Sequence, residues 1–254
     1  MKLQRILWFL ALAVACKRSA PASEATRGSA AVLPEHAAPP AAAPATVQLP
    51  IDPTKPMPAE SLSTSATLQL GKPAAVTVDG RADIFSSGMD AAPQPRGGRL
   101  PALLTVSPGG GHVVFSNVQG LVGWSGNDGA PADGADSDTE IREADGISGI
   151  VDHQHSMFMV GVFLGAQRST EAPPALDFSA GALGAAFPEL SPRIAQTFFI
   201  GDGLTPSGAT QRFAIPEGAT RLYLGFADAV FFKGEPGAYD DNTGGIRATA
   251  MQQK

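Results

Sequence analysis

The chain has 254 residues, a formal net charge of −6 and an isoelectric point near 5.2. That length holds one sizeable domain with appendages, and an acidic balance without a basic stripe argues against a nucleic-acid partner. Few charged residues, 29 glycines and 22 prolines suit an all-β domain rich in turns, joined to a low-complexity segment.

Residues 1–15 read as a signal segment. Lys2 and Arg5 form a basic start, and Ile6 to Val14 form an apolar run too short to span a bilayer comfortably. Ala13-Val14-Ala15 then leads directly into Cys16, the single cysteine of the chain. The pattern resembles a bacterial lipobox with Ala13 in place of the usual leucine. It implies that Cys16 is lipidated and anchors the chain to a membrane; ordinary cleavage at the same bond, releasing a soluble exported protein, is the alternative. Lys17 follows where an aspartate would retain a lipoprotein at the inner membrane. That favours an outer-membrane or surface position, with a periplasmic or secreted protein as alternatives. One cysteine allows no intrachain disulfide, so the exported domain relies on its core and on any metal it binds.

Residues 16–63 form a Pro/Ala-rich tether ("PEHAAPPAAAPATVQLPIDPTKPMP"). With almost no aromatic residues it cannot offset its ordering entropy, so a disordered, extended spacer is expected. His36 within it reads as a solvated residue.

Residues 64–254 change texture. "ATLQLGKPAAVTVDG", "HVVFSNVQGLVGW", "MFMVGVFLG", "QTFFIG", "QRFAIP", "TRLYLGFAD" and "IRATAMQ" are strand-length runs of β-branched and aromatic residues between Gly, Pro and Asp. They predict an all-β jelly-roll or β-sandwich domain of about eight or more strands. "EIREADGI" and "LSPRIAQTFF" each suit a helical turn, and "EAPPALDFSAGALGAAFPELSP" reads as a long irregular crossing.

Several loops carry polar clusters. "SPGGGH" (Ser107 to His112) is glycine-rich, but it opens no helix and lacks the Lys-Ser/Thr of a phosphate cradle. "GNDGAPADGADSD" (Gly126 to Asp138) lacks EF-hand spacing and reads as a solvated, flexible loop, with a weak cation site as the other reading. "DHQHS" (Asp152 to Ser156) sets His153 and His155 two apart, a spacing that lets one strand face offer both to zinc. No third ligand is evident, and a surface turn is the simpler reading.

The most informative block is "AVFFKGEPGAYDDNTGG" (Ala229 to Gly245), which follows the strand ending at Asp228. Its oxygens suit a turn that hydrogen-bonds its own backbone. They equally suit calcium, which takes six to eight oxygen ligands from carboxylates, amides and backbone carbonyls. Phe231 and Phe232 read as core residues, with a rim for a sugar face as the alternative.

The strand-end Asp followed by Pro-Gly-x-Tyr-x-[Asp/Asn]-Asn-x-Gly resembles the calcium loop of the PA-IL-like galactophilic bacterial lectins and related exported lectin-like domains. The close match covers about the last 50 residues, and a weaker one reaches back through "GISGI…FMVGVFLG" to "VTVDGRADIFSSG". The resemblance implies Ca²⁺ held by the side chains of Asp228, Asp241 and Asn242, by the backbone carbonyl of Ala238 and by a further carbonyl near Ile84. Two sugar hydroxyls would complete the shell. It implies a sugar set of Asp145, Ser148, Tyr239 and Asn242. Asp145 and Ser148 stand where the lectins carry a His and a Gln before a glycine aligned with Gly149, a departure from the galactose-binding pattern. The segment between Asp228 and Pro236 is longer than in the compact lectins.

Catalytic signatures are missing: there is no Gly-x-Ser-x-Gly, no His-Glu-x-x-His and no cysteine beyond Cys16. The expectation is a non-enzymatic, calcium-dependent carbohydrate-binding envelope lipoprotein. Its partners would be glycans or polysaccharide and a membrane, not nucleic acid, and an oligomer would add avidity. A structural or adhesive module whose calcium only staples loops is the main rival. A glycan hydrolase built on a pair such as Glu143 and Asp145 is a weaker one.

Overall fold

A computed structural model describes residues 62–254. The signal segment, Cys16 and all but the last residues of the tether lie outside them.

The described strands are β1 (Ser65–Thr67), β2 (Pro73–Asp79), β3 (Ala102–Thr105), β4 (His112–Gly123), β5 (Ala135–Asp136), β6 (Thr139–Ile141), β7 (Ile150–Asp152), β8 (His155–Ser156), β9 (Met159–Leu164), β10 (Leu176–Asp177), β11 (Glu189–Leu190), β12 (Thr197–Phe199), β13 (Arg212–Ala214), β14 (Arg221–Phe226), β15 (Lys233–Gly234) and β16 (Thr243–Gln253). One five-stranded sheet runs β1-β3-β14-β9-β12, and a second runs β11-β13-β4-β16-β2. A four-stranded sheet, β10-β7-β6-β15, and a two-stranded ribbon, β5-β8, complete the domain.

The burial of each strand follows its place in the sheets. Strand β9 (MVGVFL) is buried at every residue, and β14 (RLYLGF) at every residue after Arg221. They pair with each other in the interior of the first sheet, covered on both faces, which is why their sequences are continuous apolar runs. Strand β16 instead alternates for part of its length. Ile246, Ala248 and Ala250 are buried while Arg247 is exposed, as expected of a strand with one face to the core. Its register against β4 shifts between Arg247 and Thr249, a bulge that accommodates two long strands on a twisted surface.

The two large sheets pack face to face. Phe198 of β12 lies 5.4 Å from Phe163 of β9 in its own sheet and 5.3 Å from Phe213 of β13 in the other. Phe213 in turn meets Phe115 of β4 edge-on at 5.8 Å. The all-β sandwich expected from the sequence is thus the observed architecture.

Three local expectations are corrected. "EIREADGI" begins as β6 and closes with a bridge between Ala144 and Ile147, and "LSPRIAQTFF" is β11, a turn and β12; neither holds a helical turn. The short 3₁₀ turns fall elsewhere, at Ile84–Ser86, Gln94–Arg96, Val230–Phe232 and Tyr239–Asp241. The 126–138 loop is not simply solvated. Ala130 bridges Val122, Ala130 and Ala132 are buried, and Asp138 pairs with both Lys233 and His153.

Candidate metal centre

The centre forms where the two large sheets are stitched together. Strand β14 of the first sheet ends at Phe226, whose N–H donates to Ala82 O at 2.9 Å, and Asp228 follows two residues later. In the second sheet, β2 pairs with β16 in the register Asp79↔Gly245. That register places Gly80 beside the start of β16, with Gly80 N–H donating to Gly244 O at 3.0 Å. A Cβ on Gly80 would lie 2.6 Å from Thr243 O, so the approach requires glycine.

Asn242 joins the two sheets. Its Nδ2 donates to Asp228 Oδ2 at 2.9 Å and to Gly80 O at 3.1 Å. Asn242 is only 4% exposed and Asp228 2%. The Asn242 Oδ1 atom is buried without a hydrogen-bond partner, a state that ordinarily carries a desolvation penalty. Turning the amide over puts this oxygen where the nitrogen stands, between the Asp228 carboxylate and the Gly80 carbonyl. Three oxygens so grouped repel one another unless a cation lies among them, and hard cations choose such a donor set.

Asp228 itself is under electrostatic tension. Burial pushes its carboxyl up to about 7, and the nearby Asp241 and Asp240 charges add to the rise. Hydrogen bonds from Asn242 and from Ala229 N–H, the latter at 2.7 Å, pull the other way. A buried carboxylate with no formal positive partner is the situation that a bound cation relieves.

Asp228, Ala238 and Asp241 line one cavity of about 360 Å³. Ala238 adopts the left-handed conformation at φ 64°, unusual for a residue with a side chain. Asp241 is exposed, and its Oδ2 accepts from Ser125 Oγ at 2.7 Å. Three of the five residues expected to hold a cation thus face a common space, and a fourth, Asn242, touches Asp228. The early-loop carbonyl at this centre is that of Gly80, not of Ile84. The Ile84 carbonyl instead accepts from Ser87 N–H at 3.1 Å and Ser87 Oγ at 2.6 Å in its own turn.

The sugar-set expectations fare differently. Tyr239 has no exposed surface. Its hydroxyl donates to Phe226 O at 3.0 Å and accepts from Asp228 N–H at 3.2 Å, so it braces the loop from within. Ser148 is also fully buried; its Oγ donates to Gly149 O and accepts from Thr197 N–H, tying the turn before β7 to β12. Neither can touch a sugar as the chain is folded. Asp145 is partly exposed and ion-paired with Arg96, which also reaches Asp83 at 3.5 Å. Phe231 is not a core residue: it is 87% exposed. Phe232 packs against the core and meets Trp124 edge-on at 5.6 Å.

Sequence reasoning missed Gly80, Trp124 and Ser125. The Asp-Gly ending of "AVTVDG" was the signal for the first; only the fold brings the other two near. The two histidines of "DHQHS" engage separate carboxylates, His153 with Asp138 at 2.5 Å and His155 with Asp152 at 2.9 Å. Among the described residues no three His, Cys, Asp or Glu side chains converge as a metal site. Of the five candidate donors, Asp228, Asp241, the Asn242 amide and the Gly80 and Ala238 carbonyls, three are amide or carbonyl oxygens, as calcium accepts and zinc does not. No family model, curated protein or solved structure matches the chain.

Tyr239→Phe keeps the ring and removes only the bridging hydroxyl. The Asp228 N–H and the Phe226 carbonyl are then left buried with a partner missing. We expect about 1–3 kcal/mol of destabilisation, measurable as a lower urea midpoint with an unchanged slope.

Proposed function

We propose that this chain is a calcium-dependent carbohydrate-binding protein, exported and held at the cell envelope through Cys16 and its Pro/Ala-rich tether, with no catalytic role. The observation that carries the reading is the buried Asn242 amide, whose Nδ2 lies against the Asp228 carboxylate and the Gly80 carbonyl while its Oδ1 is left without a partner.

In this reading Asp228, Asn242 and Gly80 supply the inner oxygens, and Asp241 and the Ala238 carbonyl the outer ones. A bound calcium would supply a coordination site for two neighbouring sugar hydroxyls. The chain's own residues do the rest. Tyr239 fixes the backbone at Asp228, Ser125 orients the Asp241 carboxylate, and the β2–β16 register sets Gly80 against Asn242. Single sites of this kind bind weakly, so glycan-bearing surfaces would be engaged by several anchored copies at once.

A second reading has its own support. Asp228 and Asn242 are almost wholly buried and join two sheets, so a cation between them also serves as a staple for the sandwich.

The test uses the full chain with calcium, with chelator, and as Asp241→Ala. A ligand that binds only the folded state raises stability by mass action. Millimolar calcium is expected to raise the melting temperature of the wild type and to do so far less in the variant. Sugar binding on a glycan panel is expected only with calcium and not in Asn242→Ala. A calcium-dependent rise with no sugar bound across the panel supports the staple; no rise at all ends both readings.

A further inference from the structure

The wall around the candidate centre is unusually apolar for a site that takes sugar. Besides Asp228, Asp241 and Ser125, the cavity is lined by Trp124, Ala229, Val230, Phe231, Phe232 and Ala238. Neither Lys nor Arg lines it. Ser125 already donates its hydroxyl proton to Asp241.

The backbone holds this wall in place against local preference. Phe231 and Phe232 are consecutive non-glycine residues in the left-handed region, at φ 55° and 56°, a conformation that bulky side chains resist. Its result is a divided pair. Phe232 turns inward onto Trp124, while Phe231 stands in solvent at 87% exposure beside Val230 at 64%. Large apolar side chains held out from a surface mark a contact site when they cluster at a cavity mouth.

We infer that this site selects a sugar with one apolar edge, a deoxy or O-methylated hexose, whose diol meets the Asp228–Asp241 side while its methyl-bearing edge lies against Phe231, Val230 and Trp124. The inference rests on the calcium-dependent reading above. The two halves of the cavity ask for different chemistry: oxygens toward the carboxylates, carbon toward the aromatic rings. A hydroxyl pressed on that wall exchanges water for no partner, whereas a methyl group loses nothing and gains contact. An apolar wall discriminates against one added hydroxyl by roughly ten- to a hundredfold at most.

The experiment titrates the full chain, at saturating calcium, with methyl hexosides and their single-position deoxy and O-methyl derivatives. Binding is followed by calorimetry and by indole emission, with Trp124→Phe identifying the emission that reports the cavity. At least one deoxy or O-methyl derivative is expected to bind roughly tenfold or more tightly than its fully hydroxylated parent. Phe231→Ser, a change at a solvent-facing position, is expected to narrow that ratio. Parent sugars that bind in a calcium-dependent way as tightly as every derivative overturn the inference and leave the lectin reading standing. Calcium stabilisation without binding of any sugar overturns both.

Discussion

Between pH 5 and pH 8 the calcium-free chain is expected to lose about 3 kcal/mol of stability through Asp228 alone, at roughly 1.4 kcal/mol per pH unit of differential protonation. The carboxyl titrates near its ordinary 3.8 when the chain is unfolded and near 7 when folded. The folded state therefore holds the proton more tightly throughout that interval. The contribution is full below the unfolded value and disappears as pH rises through the folded one. A cation reverses the slope, because it binds the ionised carboxylate and competes with the proton. The calcium-induced rise in melting temperature should therefore grow from pH 5 to pH 8. Urea midpoints at four pH values, with chelator and with calcium, measure both effects. Asp228→Asn should flatten the two profiles. A wild-type profile in chelator as flat as that of the variant would remove the tension assigned to this carboxylate.

The largest loss of stability is expected from Phe198→Ala, about 3–5 kcal/mol, the range for deleting a buried aromatic side chain. Phe198 has no exposed surface and touches Phe163 of its own sheet and Phe213 of the facing sheet. Its removal opens a cavity at the contact where the two layers meet. The neighbours are themselves ring systems on paired strands, so they have little freedom to collapse into it. Val76→Ala, nearer the edge of the second sheet on β2, removes a smaller side chain and should have a smaller effect. Chemical denaturation of the two variants checks the order. Equal losses would mean that the inter-sheet aromatic contact carries no special weight.

The strands were legible because their chemistry is local. "MFMVGVFLG", "TRLYLGFAD" and "IRATAMQ" announce buried or half-buried strands without reference to anything distant, and β9, β14 and β16 lie there. Strand β3 was not, because "ALLT" is four residues between prolines and polar loops; the neighbouring β1 and β14 make it a strand. The gathering of Asp228, Ala238 and Asp241 about one cavity followed from a compact loop. The carbonyl from the early part of the chain could not be placed by counting, since Gly80 and Ile84 differ only in which of them the β2–β16 register aims at Asn242. Tyr239 and Ser148 look like surface chemistry in a string of letters. Only the packed fold shows their hydroxyls turned inward. Phe231 went the other way: an aromatic residue normally reads as core, and a left-handed backbone turns this one out.

Strand β16 pairs on one side with β2, residue 245 opposite residue 79, and on the other with β4. An interior place in the second sheet, between β4 and the edge strand β2, is thus filled by a segment synthesised long after both of its neighbours. Until residues 243–253 have emerged, β2 and β4 each present an open row of backbone donors and acceptors, a template for pairing with the wrong partner. Closing a loop of that span before any reward is gained slows folding. The same late strand is preceded immediately by Asn242, so the second sheet and the Asn242–Asp228 contact between the sheets are completed together.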